Sequence, residues 1–138
     1  MVASLKSQRL RRETALPPSY LTSLGFLPGS DAAEFFSAYS GPFCSRSTGF
    51  ILLDLGRPDS PKSVEYSTRA VRSKFGWPDR YLVISDLLAN SVLVYDTVTD
   101  SVFNVDFEGG DAMLISGTLP ADFPTFATFL EWYFQGEC

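Results

Sequence analysis

Histidine is absent from all 138 residues, and with it go Ser-His-Asp and Cys-His catalysis and every histidine-ligated metal site. Cysteine is scarce. Cys44 and Cys138 are the only two, half the ligand set of a thiolate zinc site. A bridge between them is open in principle. With 93 residues between them and Cys138 last in the chain, the reading is a buried thiol, a dangling thiol and a reducing compartment. Long apolar runs are missing as well: stretches such as Phe50–Leu53 are far too short to cross a bilayer. The opening from Met1 to Glu13 holds Lys6, Arg9, Arg11 and Arg12 with no apolar h-region behind them, which argues against a secretory signal. No glycine-rich phosphate loop is present, since Gly109-Gly110 lacks the lysine such a loop requires. The expectation is a soluble cytoplasmic protein without membrane contact, catalytic residues, cofactors or metal.

Basic residues are missing from the second part of the chain. All 11 Lys and Arg lie at or before Arg80, so residues 1–80 carry 11 − 7 = +4 and residues 81–138 carry −9. Such an acidic half repels phosphate, so nucleic-acid binding through it is excluded, and its field would orient a basic protein partner. The alternative is a solvated face retained for solubility.

What is there suffices for one core. At this length a single domain spanning residues 1–138 is expected, with 1–15 a frayed helix or tail. Surface scaling leaves roughly 7,100 Å² exposed out of about 22,000 Å² for the open chain.

The pattern of elements reads as α+β. Pro17 to Gly25 begins with proline and ends with glycine, as helices do. Asp31–Ser40 places Ala32, Phe35, Phe36 and Tyr39 on one helical face. Thr48–Leu55 is a buried strand, Val64–Tyr66 a brief strand, and Ser67–Phe75 a short helix with a hydroxyl cap. Tyr81–Ser85, Ser91–Tyr95 and Ser101–Phe107 form an antiparallel meander, with Phe103, Val105 and Phe107 facing the core. Met113–Ser116 adds a fourth strand. A closing helix, capped near Asp122 or Thr125, carries Phe126, Phe129, Leu130, Tyr133 and Phe134 along one stripe that must pack on the sheet. One antiparallel sheet of four to six strands, flanked by N-terminal helices and a C-terminal helix, is expected.

Candidate site residues come from the acidic half and one tryptophan. Asp106, Glu108 and Asp111, joined by Asp96, could act as an acidic recognition edge, as a carboxylate catalytic or cation site, or as a solvated turn. Trp77 beside Pro78 is either an exposed partner anchor or a plug for its own core. The partner-binding set is Asp96, Asp106, Glu108, Asp111 and Trp77.

The order of motifs resembles the SUKH superfamily, which includes the fungal cell-wall synthesis regulator and many bacterial relatives. Leu24-Gly25-Phe26-Leu27-Pro28 followed by Phe35, Phe36, Tyr39 and Ser40-Gly41 is similar to its leading motif. Tyr81 to Asp86, Val94-Tyr95-Asp96, Val102-Phe103, Asp106-Phe107-Glu108 and Phe126 to Leu130 are similar to its strand, hairpin and final-helix pattern. Ser40-Gly41 departs from the Asn-Gly often found there, and Leu87 to Asn90 replaces a glycine-containing loop. The resemblance implies an antiparallel sheet with flanking helices and, for bacterial members, service as immunity proteins that neutralise a toxin by binding it. The expected function is therefore non-catalytic binding of a basic toxin domain through the acidic surface. A regulatory or scaffold module of cell-wall-regulator type is the alternative, a carboxylate-dependent enzyme the third reading, and a homodimer is compatible with each.

Overall fold

A computed structural model describes residues 11–136 and Cys138. Residues 1–10, which hold Lys6 and Arg9, lie outside the described residues, as does residue 137. Proline at the first position opens helix α1, Pro18–Ser23. Helix α2, Asp31–Ala38, is capped by Ser30, whose hydroxyl accepts the Ala33 N–H at 3.2 Å. Strands β1 (Phe43–Cys44) and β2 (Ile51–Leu52) pair antiparallel. Helix α3, Val64–Phe75, precedes the meander of β3 (Tyr81–Val83), β4 (Ser91–Asp96) and β5 (Val102–Asp106). Helix α4, Gly110–Ser116, and helix α5, Phe126–Phe134, complete the order.

The fold is α+β, as the element pattern implies, but two small sheets replace the single sheet expected. They are stitched where the chain continues past β3. Leu53 N–H donates to Ile84 C=O at 2.8 Å and Asp86 N–H to Ile51 C=O at 3.1 Å, flanking a bridge between Leu52 and Ser85. The seam carries one bridge because the backbone of Asp54 pairs elsewhere, its N–H donating to Lys62 C=O at 3.2 Å and its C=O accepting the Val64 N–H at 2.8 Å. The buried Asp54 Oδ1 accepts N–H bonds from Gly41 and Leu55, both at 2.9 Å, and from the Arg12 guanidinium at 3.2 Å. Arg12 also donates to Phe36 C=O and Leu55 C=O. Arg12 is thus tied to the fold, while Glu13, Thr14 and Ala15 beside it are exposed.

Successive residues of a strand point to opposite faces, and here both faces of the meander are covered. Leu82, Ile84, Leu93, Tyr95 and Val102 meet the aromatic residues of α2 and α5, including Phe35, Phe36, Phe126 and Phe129, in the larger core. Tyr81, Val83, Val92, Val94, Phe103 and Val105 meet Trp77 and Leu114 in a smaller one. Burying each such side chain is worth about 1.5–3 kcal/mol, so α5 clamps the sheet as its stripe requires. Its Tyr133 hydroxyl accepts the Leu52 N–H at 3.0 Å and lies 2.9 Å from Phe43 C=O and 2.8 Å from Phe50 C=O, tying helix to both strands of the small sheet.

Three local expectations are corrected. Val64–Tyr66 is the first turn of α3, since Ser63 Oγ accepts the Tyr66 N–H at 3.2 Å and Glu65 Oε2 accepts the Gly56 N–H at 2.6 Å. Met113–Ser116 is helical. The Asp106 carboxylate accepts the N–H groups of Glu108 and Gly110 and so starts α4, in which Leu114 is buried while Met113 and Ile115 face solvent. The strand within Thr48–Leu55 shrinks to two residues, paired with a β1 too short to leave a periodic signature.

The cysteines are paired. Cys44 and Cys138 form a disulfide with Cα atoms 5.5 Å apart. The end of the chain does not dangle, because Arg46 N–H donates to Gly136 C=O at 2.7 Å and Cys138 N–H to Cys44 C=O at 3.4 Å. Free thiols, and the reducing compartment inferred from them, are not supported.

Candidate functional site

The carboxylates expected to form one accessible patch have separate structural duties. Asp96 is buried, 1% exposed, and meets the guanidinium of Arg80 through two hydrogen bonds of 3.0 and 2.6 Å. The antiparallel register that sets Tyr81 opposite Asp96 delivers Arg80 to that position. Burial pushes the Asp96 carboxyl up, but the bonds from Arg80, the Val98 N–H and the Thr99 hydroxyl outweigh it and hold the group below its ordinary value. Asp96 therefore cannot be an accessible docking residue.

Asp106 is solvent-facing, yet its carboxylate is held low by the N–H groups of Gly110 and Glu108 at the start of α4. Neighbouring acids are likewise acceptors: Asp100 for the Tyr95 hydroxyl and the Phe126 N–H, Asp122 for the Asn104 N–H, Asp86 for the Ile51 N–H. Turn and cap acceptors thus account for much of the acidic excess. Of the expected set, Glu108 is exposed and Asp111 half-buried beside it at the α4 end. Trp77 is also corrected: it is 4% exposed and fills the smaller core, where Phe107 stacks on it at 6.1 Å. Among the described residues no group of three or more His, Cys, Asp or Glu side chains could hold a metal ion.

A different site emerges along α3. A groove of about 870 Å³ lies between this helix and the two sheets. Tyr66, Ala70 and Lys74, with Ser67, Val71 and Phe75 one position on, form its helical wall. These positions recur at i+4, so they make one stripe down the whole helix. Pro42, Phe43, Cys44, Ile51 and Leu53 supply the small-sheet wall, and Val83, Val92 and Phe107 the base beside the meander. Tyr66, Phe75 and Leu87 remain 40%, 38% and 61% exposed, so the apolar surface opens to solvent. A patch of this kind marks a binding surface more often than scattered exposed residues do.

The groove exists because α3 is committed to the edge of β3. Thr68 Oγ1 accepts the buried Val83 N–H at 2.9 Å, and Arg72 donates to Tyr81 C=O at 3.3 Å. Those two contacts cover the backbone groups of an otherwise open strand edge. The rest of the helix stands proud of the small sheet, and the gap is the groove. Its charged residues are Lys62, Lys74 and Asp86. Lys74 Nζ lies 5.3 Å from the Phe75 ring centroid, and neither lysine has a carboxylate partner within 4.0 Å among the described residues.

The sequence reading passed over Tyr66, Ala70, Phe75 and Leu87. The signal was present in the i, i+4 and i+9 spacing of Tyr66, Ala70 and Phe75, but the polar face of the helix outweighed it. No helix among the described residues is long and apolar enough to cross a membrane. No protein-family model, curated protein or solved structure matches this chain.

Proposed function

We propose that this chain is a protein-binding domain without catalytic function, of the immunity kind that its resemblance to the SUKH superfamily implies, and that the partner seats in the α3 groove. The observation that carries the reading is the open apolar groove, in which Tyr66, Phe75 and Leu87 face solvent together. Exposed aromatic side chains around a concave apolar surface are what interface anchors are made of. Docking of a basic toxin domain on an acidic surface has less support, because Asp96 is buried against Arg80 and the Asp106 carboxylate is engaged by the Glu108 and Gly110 N–H groups. A cytoplasmic place of action belongs to the sequence expectation, and the Cys44–Cys138 bond weighs against it, since disulfides persist in oxidising compartments.

The test is capture on the immobilised chain from its native host, in three parallel forms. A partner retained by the wild type and by Glu108→Lys/Asp111→Lys, but lost by Ala70→Arg, supports the groove. A partner lost by the charge reversal and kept by Ala70→Arg returns the site to the acidic turn. Expression of the captured partner alone then decides the immunity reading: growth arrest relieved by this chain supports it, and harmless expression removes it.

A further inference from the structure

Building on the groove reading, we infer that the occupant is an acidic amphipathic helix of a partner protein, laid along α3 with its carboxylates meeting Lys62 and Lys74. The two lysines mark the ends of the groove. Lys62 precedes the first turn of α3 and Lys74 lies in its last turn. The 12 residues of α3 make it about 18 Å long at 1.5 Å per residue. An amphiphile with one anionic head group satisfies one of these charges, whereas a helix of three to four turns places acidic side chains at both ends.

The surroundings reinforce the sign. Between Lys62 and Phe75 the chain carries four basic residues, Lys62, Arg69, Arg72 and Lys74, against Glu65 alone. Glu65 is turned inward, its Oε2 taking the Gly56 N–H and the Tyr20 hydroxyl. Arg69 donates to Pro58 C=O, and Arg72 is turned to Asp79 and the β3 edge, so in the groove itself Lys62 and Lys74 stand against Asp86 alone, which takes the Ile51 N–H.

Helix is favoured over strand because the backbone edges nearby are taken. The β3 edge is covered by Thr68 and Arg72, and β1 meets the chain end through Cys44 C=O and Arg46 N–H. An added strand would find few N–H and C=O groups to pair with, while side chains at i, i+3, i+4 and i+7 need only the apolar trough.

Fluorescence anisotropy with two synthetic peptides of 16 residues tests this. Both carry leucine at one i, i+3, i+4, i+7 and i+11 stripe; one has glutamate and the other lysine on the flanks. The acidic peptide is expected to bind at least about tenfold tighter than the basic one, with a preference that weakens as salt rises. In Lys62→Glu/Lys74→Glu the preference should vanish or invert, and in Ala70→Arg binding of both should be lost. Equal binding of both peptides that Ala70→Arg still blocks overturns the acidic-helix inference and leaves the groove reading standing. Binding indifferent to Ala70→Arg, or no binding of either peptide, overturns the inference, and the capture experiment then decides the groove by itself. Self-association of the wild type abolished by Ala70→Arg, or displacement of the acidic peptide by dodecanoate at equal concentration, assigns the groove to a second copy or a lipid and also overturns it.

Discussion

Asp96 sits inside the protein as a carboxylate, held there first by the Arg80 guanidinium and then by the Val98 N–H and the Thr99 hydroxyl. Removing the partner of a buried charge is costly because the remaining ion has neither water nor counter-charge. The Arg80 side chain is 38% exposed, so solvent takes up part of the loss, and Arg80→Ala should destabilise the fold by about 2 kcal/mol at pH 7. The pH dependence has a definite sign. The folded-state pKa of Asp96 is below its ordinary 3.8, so the pair's stabilisation is present above that value and lost as pH falls through and beneath it. Urea unfolding of wild type and variant at pH 7 and pH 3 should show the gap narrowing at the lower pH. A gap equal at both would mean that Asp96 is not the group responsible. Nothing about Asp96 in the sequence marks it as buried; it is a short polar residue beside a turn, like Asp100. Its environment is decided by the register that brings Arg80 over it.

At the scale of elements, α3 does two jobs that compete for the same turns. Its inner side closes the edge of β3, and its outer stripe walls the groove. Thr68→Val keeps the shape of the side chain but removes the acceptor for the buried Val83 N–H. That substitution should cost about 1–3 kcal/mol and weaken any groove ligand more than its effect on global stability explains. Thermal melts together with anisotropy of the acidic peptide check both parts, and unchanged stability would mean that the Val83 N–H finds another acceptor. Helices α2 and α5 were legible because their apolar periodicity is strong and capped. In α3 a polar majority hid the apolar stripe, and Val64-Glu65-Tyr66 read as strand because branched and aromatic residues favour extended backbone when isolated. In α4 the apolar run Met113-Leu114-Ile115 looks like a strand until Asp106 is seen holding the first turn.

Over the whole molecule, the longest covalent connection is the disulfide, whose cysteines are 94 positions apart. In the chain-entropy account a loop of this size stabilises by up to about 4–5 kcal/mol through restriction of the unfolded chain. Reduction should therefore lower the melting temperature by several degrees. Alkylation of the unreduced, denatured protein should label neither sulfur. Labelling of both in protein isolated from its host would show that the bond does not form there. The accessible area of 7157 Å² is close to the ~7,100 Å² expected from mass alone.

Composition, periodicity and turn residues by themselves determined that this chain lacks histidine chemistry, mixes helices with an antiparallel meander, and closes with an aromatic helix on the sheet. Those properties are local, carried by residues within a few turns of one another. Tertiary structure alone decided which charges are spent internally, that the cysteines meet, and where an apolar surface is left open. Each depends on residues brought together by strand register and helix seating: Arg80 over Asp96, Cys138 beside Cys44, and α3 standing off the small sheet. No single helix or strand contains both halves of any of these pairs.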